Sequence, residues 1–144
     1  MRRWNGWGEE TTTFPLSRDA YRYLVDKIGE GTPLPDATLD EVLKRAPESR
    51  LPDHPLVSKG PEERVRHARG QSLPDWLALR SGNLGALPDG VAYPITKQDV
   101  KALIQYAKET GAIIIPYGGG TSVVGHVTPE RGDKPVLTMD MGRM

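Results

Sequence analysis

Three consecutive glycines, Gly118–Gly120, follow the apolar run Ala112–Ile115 after a single Pro-Tyr pair. Glycine loses more conformational freedom on folding than any other residue, so an ordered run of three is unfavourable unless the backbone must approach something closely. Successive backbone N–H groups in such a loop can point at an anion, and Thr121 and Ser122 add hydroxyl donors. The sequence therefore predicts a strand followed by an anion-binding loop at its carboxyl end, where α/β sheets bind ligands.

A strand, a helix and a second strand are predicted to lead into this loop. Gly90–Pro94 is the first strand, and Ala112–Ile115 is the second, expected to be buried on both faces because its apolar residues do not alternate with polar ones. Between them, residues 97–110 repeat apolar side chains at helical spacing, and Thr96 with Asp99 forms a capping-box pattern. The unit predicts a parallel strand pair joined by a right-handed crossover.

The remaining sequence is less regular, because its 16 glycines and 13 prolines favour loops. Short helices are predicted after Ser17, after Asp36 or Thr38, after Gly60 and after Ser72. Residues 47–61 hold four prolines and are predicted to be a linker, and residues 136–140 are predicted to be one more strand. The chain thus divides into an irregular, helical N-terminal extension, residues 1–85, and an α/β region, residues 86–144.

Two familiar phosphate-binding patterns do not fit the glycine loop. No lysine follows the glycines, so the P-loop pattern fails. The GxGxxG pattern of nicotinamide dinucleotide sites fails as well, because Val123 stands where its third glycine would be. From the residues alone, a glycine-rich turn without a ligand and a non-catalytic nucleotide- or anion-binding α/β module both remain open.

Composition excludes several other kinds of site. The chain has no cysteine, and its three histidines, His54, His67 and His126, do not share metal-ligand spacing, so no metal site is predicted. Nineteen basic residues balance nineteen acidic ones, which gives no reason to expect nucleic acid as a partner. No apolar stretch is long enough for a transmembrane helix, and the N-terminus does not match a secretory signal, so a cytoplasmic location is expected.

Two segments resemble a known family. Ala92–Val100 and Ile114–Ser122 resemble the PCMH-type FAD-binding domain of the vanillyl-alcohol oxidase/p-cresol methylhydroxylase superfamily. Within it, Arg3–Gly8, Leu79–Gly82 and Leu87–Gly90 resemble the alkyldihydroxyacetonephosphate synthase-like FAD-binding oxidoreductases. The resemblance implies an α/β (α+β) fold in which the extension precedes the first βαβ lobe of an FAD-binding domain, incomplete at residue 144.

The resemblance also implies a cofactor and the residues that hold it. In that family the matching loop wraps the FAD pyrophosphate. The cofactor-binding residues implied by position are Pro116, Tyr117, Gly118, Gly119, Gly120, Thr121 and Ser122. Some members attach FAD covalently through a histidine just before the loop, and none lies between Tyr93 and Tyr117, so FAD is expected to be non-covalent.

Proteins of this family are several times longer than 144 residues and add a second FAD-binding lobe and a cap domain. The chain is therefore expected to be the N-terminal portion of an enzyme that either oxidises a small alcohol or 2-hydroxy acid, or exchanges acyl for alkyl on dihydroxyacetone phosphate. Its catalytic residues stay unassigned, a small-molecule substrate is expected, and a homodimer is an open expectation for the full-length enzyme. The 144 residues alone are expected to bind FAD weakly.

Other conspicuous side chains are given structural roles. The three tryptophans Trp4, Trp7 and Trp76 are predicted to be buried against the domain. The basic cluster of Arg64, Arg66, His67 and Arg69 is predicted to be a solvated helix face. His126 is predicted to be a partly exposed loop histidine.

Overall fold

The computed structural model describes residues 3–144, so Met1 and Arg2 of the predicted extension lie outside the described residues. Five helices and four strands form within that range. The helices are α1 (Arg18–Ile28), α2 (Leu39–Lys44), α3 (Pro61–Arg66), α4 (Leu73–Ser81) and α5 (Lys97–Thr110); the strands are β1 (Val57–Ser58), β2 (Gly90–Ala92), β3 (Ile113–Tyr117) and β4 (Val136–Asp140). The α/β prediction is confirmed.

The four strands form one mixed sheet in the order β1-β2-β4-β3. β1 is antiparallel to β2, whereas β2, β4 and β3 are mutually parallel. In register, Val91 pairs with Thr138 and Thr138 pairs with Ile115. The carboxyl ends of the three parallel strands consequently meet at one edge of the sheet.

The predicted strand–helix–strand unit is present, but its two strands are not neighbours. β4 lies between β2 and β3, so β3 is the edge strand. The prediction that β3 is buried on both faces is wrong: Ile114 packs into the core, but Ile113, on the opposite face, is 50% exposed. The face that bears Ile113 is left uncovered at the sheet edge, and the apolar run could not reveal this.

The first core cluster lies between α5 and the sheet. Its buried residues are Leu51, Ala92, Leu103, Tyr106, Leu137 and Met139. Leu51 and strand β1 both belong to the segment predicted as a linker, so that prediction is wrong. The prolines there shape an extended chain that packs on the sheet, and the Tyr106 hydroxyl donates to the Pro52 carbonyl at 2.7 Å.

The second core cluster joins the N-terminal helices. Its buried residues are Val42, Val65, Ala68, Leu79 and Leu84, and Trp4 packs against them partly buried. α3 in turn contacts β2. The helices of the extension are thereby joined to the sheet, and His67, which directly follows α3, reaches Asp140 at the carboxyl end of β4.

A buried carboxylate ties the extension to the start of β4. Asp89 is 3% exposed and accepts two hydrogen bonds from the Arg50 side chain, at 2.9 and 2.8 Å, and one from the Val136 N–H at 2.8 Å. Burial alone would raise the pKa of Asp89, but the hydrogen bonds from Arg50 and Val136 outweigh it and lower that pKa below its ordinary value.

α1 forms where the sequence predicts it but stays apart from both cores. Ser17 Oγ accepts the N–H of Ala20 at 3.2 Å, and Gly29 ends the helix with a φ of 81°. None of its residues is buried. None of the helices formed by residues 3–144 has the length and apolar sequence needed to cross a bilayer.

Candidate FAD-binding site

The glycine loop leaves β3 at the carboxyl edge of the sheet, as predicted. Gly120 has a φ of 69°, a conformation that favours glycine. Gly118 and Gly119 have no such requirement: a Cβ on Gly118 would meet nothing within 4 Å, and one on Gly119 would touch only Thr121 Cγ2, at 3.7 Å. Packing within the described chain therefore does not explain these two glycines, whereas a ligand against the backbone would.

The loop is held in place by residues of the extension. The Gln71 N–H donates to the Ser122 carbonyl at 2.7 Å. Gly70 lies so close that a Cβ there would overlap the Ser122 carbonyl oxygen and lie 3.3 Å from Asp75 Oδ2. The turn between α3 and α4 thus packs against the glycine loop and supports it. Nothing in the sequence pattern indicated this contact.

Ser122 also presents a hydroxyl with no partner. Its Oγ is buried and makes no hydrogen bond to any of the residues the structure describes. Buried hydroxyls in proteins are nearly always paired, so an unpaired one next to a glycine loop fits a ligand oxygen. Together with the open Gly118 and Gly119, this hydroxyl makes the loop compatible with a dinucleotide pyrophosphate.

A second group of side chains meets at the same edge of the sheet. Tyr117 ends β3 in register with Asp140, which ends β4, and Tyr93 follows β2. His67, at the end of α3, lies against them: its ring centroid is 4.5 Å from that of Tyr117 and 5.8 Å from that of Tyr93, and its Nε2 is 2.9 Å from Asp140 Oδ2. Three parallel strands and one helix therefore bring four functional groups together.

A cleft of about 240 Å³ lies between this group and the glycine loop. Gly118, His67, Tyr93 and Asp140 form part of its wall, and Arg3, Arg66 and Arg69 add positive charge. Burial, with Glu63 and Asp140 nearby, raises the pKa of Tyr93, so its phenol stays neutral. The cleft is suited to a negatively charged group.

The prediction that the basic cluster is a solvated helix face is wrong. Arg64 is 3% exposed, and its guanidinium donates to the carbonyls of Pro88 and Pro47 at 2.7 and 2.8 Å. Burial lowers its pKa, yet the charge is retained. His67 is 8% exposed, and Arg69 donates to the Leu84 carbonyl. α3 is covered on this side by residues 84–89, which a single-helix pattern cannot show.

The structure gives different surroundings to the seven predicted cofactor-binding residues. Tyr117 and Gly118 line the cleft, Gly120 is buried and Ser122 is partly buried. Pro116, Gly119 and Thr121 are exposed. Their contacts to a cofactor remain a prediction.

Other side chains differ in how far they match the sequence analysis. Burial of Trp7 was predicted wrongly, since it is 72% exposed, and Trp76 is 38% exposed with its indole N–H donating to Gln71. His126 is exposed, as predicted. Sequence reasoning missed His67, Tyr93 and Asp140 as a group; the available signal was that Tyr93 and Asp140 each stand at the carboxyl end of a predicted strand.

Comparison with known proteins identifies the domain. Residues 88–144 match the family described as FAD binding domain. The chain is 28% identical over 168 residues to alkyldihydroxyacetonephosphate synthase of Caenorhabditis elegans, covering 96% of this chain and 28% of that protein. It is 35% identical over 81 residues to the Dictyostelium discoideum enzyme of the same name, covering 56% of this chain and 13% of that protein.

Two further comparisons extend over almost the entire chain. The Trypanosoma brucei brucei enzyme of that name is 26% identical over 176 residues, covering 99% of this chain and 28% of that protein. A solved structure of alkyldihydroxyacetonephosphate synthase superposes with a TM-score of 0.73 at 22% identity, covering 99% of this chain and 33% of that one. The chain thus spans about a third or less of the length of these relatives. Residues 88–144 thus match an FAD binding domain, FAD is the cofactor that this match indicates, and the fold is that of the corresponding region of alkyldihydroxyacetonephosphate synthase.

Proposed function

We propose that Pro116–Ser122 hold the pyrophosphate of a non-covalently bound FAD. The observation that supports this most is the open space at Gly118 and Gly119, where neither packing nor backbone conformation calls for glycine. Backbone N–H groups of the loop and the Ser122 hydroxyl would donate to phosphate oxygens. The bound flavin would supply the redox chemistry, and this part of the chain would position it.

The experiment that tests the binding mode uses the purified full-length gene product. The protein should be yellow, and acid precipitation should release its flavin into the supernatant as intact FAD. Flavin that stays with the precipitate would contradict non-covalent binding. A colourless protein that takes up no added FAD would favour the alternative, an α/β module that binds another nucleotide or anion.

We further propose that the full-length enzyme catalyses a reaction of the alkyldihydroxyacetonephosphate synthase type. The support is that similarity to enzymes of that name covers 96% and 99% of this chain, including the extension that lies outside the FAD-binding-domain match. Incubation with an acyl dihydroxyacetone phosphate and a labelled long-chain alcohol should give labelled alkyl product and release the fatty acid. A small-molecule substrate of this class and a homodimer are part of the same proposal.

A second candidate is an oxidoreductase that acts on a small alcohol or 2-hydroxy acid. The family match describes an FAD binding domain, and that description does not specify which reaction the enzyme catalyses. Anaerobic mixing with such substrates separates the two candidates. Bleaching of the flavin absorbance by an alcohol or hydroxy acid, with no alkyl transfer, would favour the oxidoreductase.

A further inference from the structure

His67 has a hydrogen-bond acceptor against each of its two ring nitrogens. Its Nδ1 is 2.7 Å from the carbonyl oxygen of Glu63, and its Nε2 is 2.9 Å from Asp140 Oδ2. A carbonyl oxygen can only accept, and an ionised carboxylate can only accept, so each contact is a hydrogen bond only if a proton lies between its two atoms. The geometry therefore corresponds to an imidazolium–carboxylate pair.

The pair is shielded from solvent. The side chains of His67 and Asp140 are 10% and 18% exposed. The rings of Tyr93 and Tyr117 lie against the imidazole, and the second oxygen of Asp140 accepts the Gly142 N–H at 2.8 Å. A change of charge here is screened less than it would be at the surface, so it acts on nearby groups.

The neighbouring group is the glycine loop. Tyr117, which contacts the His67 ring, directly precedes Gly118, and both residues line the cleft. The protonated pair has no net charge. Loss of its proton adds one negative charge beside the loop, which weakens the binding of a pyrophosphate.

Other charged or titratable groups face His67 from each element around it: Glu63 and Arg66 from α3, Arg69 from the following turn, Tyr93, Tyr117, Asp140, and Arg3 and Arg143 from the two ends of the chain. The arginines keep their charge at every accessible pH. The raised pKa of Tyr93 keeps that phenol neutral. His67 is the histidine among these groups, and histidine is the type of side chain that changes charge near neutral pH.

We propose that the His67–Asp140 pair is a positioning pair for the cofactor, and that it favours binding of the dinucleotide pyrophosphate only while it keeps its proton. The proposal rests on the proposed function, in which the glycine loop holds that pyrophosphate. It adds two residues, one from the extension and one from β4, to the residues that control FAD binding.

The test is a fluorescence titration of the apo form of the full-length gene product with FAD between about pH 6 and about pH 9. The affinity of the unchanged protein should fall about tenfold as the pH rises, as expected for one nearby charge. His67→Gln should bind FAD weakly at every pH, because Asp140 stays ionised and unpaired. His67→Lys, which keeps its positive charge in this range, should bind with little pH dependence. Asp140→Asn removes the carboxylate and should bind FAD more tightly than His67→Gln at every pH.

Matched controls separate this effect from general destabilisation. His54→Gln changes a histidine outside the cleft, which packs on Tyr106, and should keep the pH profile of the unchanged protein. Riboflavin, which lacks the pyrophosphate, should bind the unchanged protein without that pH dependence. Circular dichroism shows whether each variant is folded, and His67→Lys provides the test if His67→Gln is not.

Two results overturn different proposals. An unaltered pH profile in the folded His67 variants would overturn the role of the pair while leaving FAD binding intact. Failure of the unchanged protein to bind FAD at any pH would instead overturn the proposed function.

Discussion

At the scale of single residues, the site depends on contacts between segments far apart in the sequence. Gly70 lies against Ser122, and His67 lies against Asp140, although 52 and 73 positions separate them. The glycine loop itself was predictable, because three adjacent glycines directly after a strand are costly to order and contribute no side chain to a core. Its supports were not, because no local pattern shows which distant backbone a glycine must approach.

Gly70→Ala tests whether the close contact between Gly70 and Ser122 holds the glycine loop in place. The added Cβ would overlap the Ser122 carbonyl oxygen and break the hydrogen bond that Gln71 donates to it. We expect FAD affinity to fall by about tenfold or more, since displacing the loop weakens hydrogen bonds to a charged group. Titration of flavin fluorescence measures this. Gly132→Ala, where a Cβ would meet nothing within 4 Å, is the matched control. Equal FAD affinities for the two variants would show that the contact between Gly70 and Ser122 does not support the loop.

Asp89→Asn tests the hydrogen bonds by which Asp89 joins Arg50 of the extension to Val136 at the start of β4. The amide cannot accept the two Arg50 hydrogen bonds and the Val136 bond as a carboxylate does, so unfolding in urea should become easier by about 2 kcal/mol at neutral pH. Because the folded-state pKa of Asp89 is lowered, its stabilising effect is present above the unfolded pKa of about 3.9 and is lost as the pH falls through the folded value.

The difference between the two proteins should therefore shrink in acid. Denaturation curves recorded from neutral pH to below about pH 4 follow this change. Asp53→Asn is the control, since Asp53 pairs with Lys59 at the surface with its side chain 94% exposed, and it should leave the urea midpoint unchanged. A constant difference between Asp89→Asn and the unchanged protein at all pH values would contradict the role given to this carboxylate.

At the scale of elements, local signals located the helices better than they located the sheet neighbours. Thr96 with Asp99 begins α5 and Gly111, with a φ of 69°, ends it, and the sequence predicted all three. β1 and the burial of Leu51 were missed because a strand of two residues between prolines has no periodicity. β3 was predicted as a strand but assigned too much burial, since strand order depends on β4, which comes later in the chain.

Thr96→Ala compares two helices with the same kind of cap. Thr96 Oγ1 accepts the Asp99 N–H at 3.1 Å, and α5 packs on the first core cluster, so its loss should lower the free energy of unfolding by about 1 kcal/mol. Ser17→Ala removes the equivalent cap from α1, which buries no residue, and should leave the cooperative unfolding transition in place. Equal destabilisation by both substitutions would show that α1 is part of the cooperative core.

At the scale of the whole molecule, residues of the extension and of the FAD-binding domain line one candidate ligand cleft. The cleft takes residues from the first turns of the chain, from α3 and from the carboxyl ends of β2, β3 and β4. The division at residues 85 and 86 remains a prediction, but residues on both sides of it surround the glycine loop. Similarity to the long relatives across nearly the whole chain agrees with the extension and the domain acting together.

The central claim is that Gly118 is glycine because FAD lies against it. In Gly118→Ala, the added methyl group meets no atom of the chain within 4 Å, so the apo protein should unfold at the same temperature as the unchanged one. Isothermal titration with FAD should nevertheless show affinity reduced by about tenfold or more, because the methyl group would displace the pyrophosphate from the backbone N–H donors. Unchanged FAD affinity in this variant would contradict the claim.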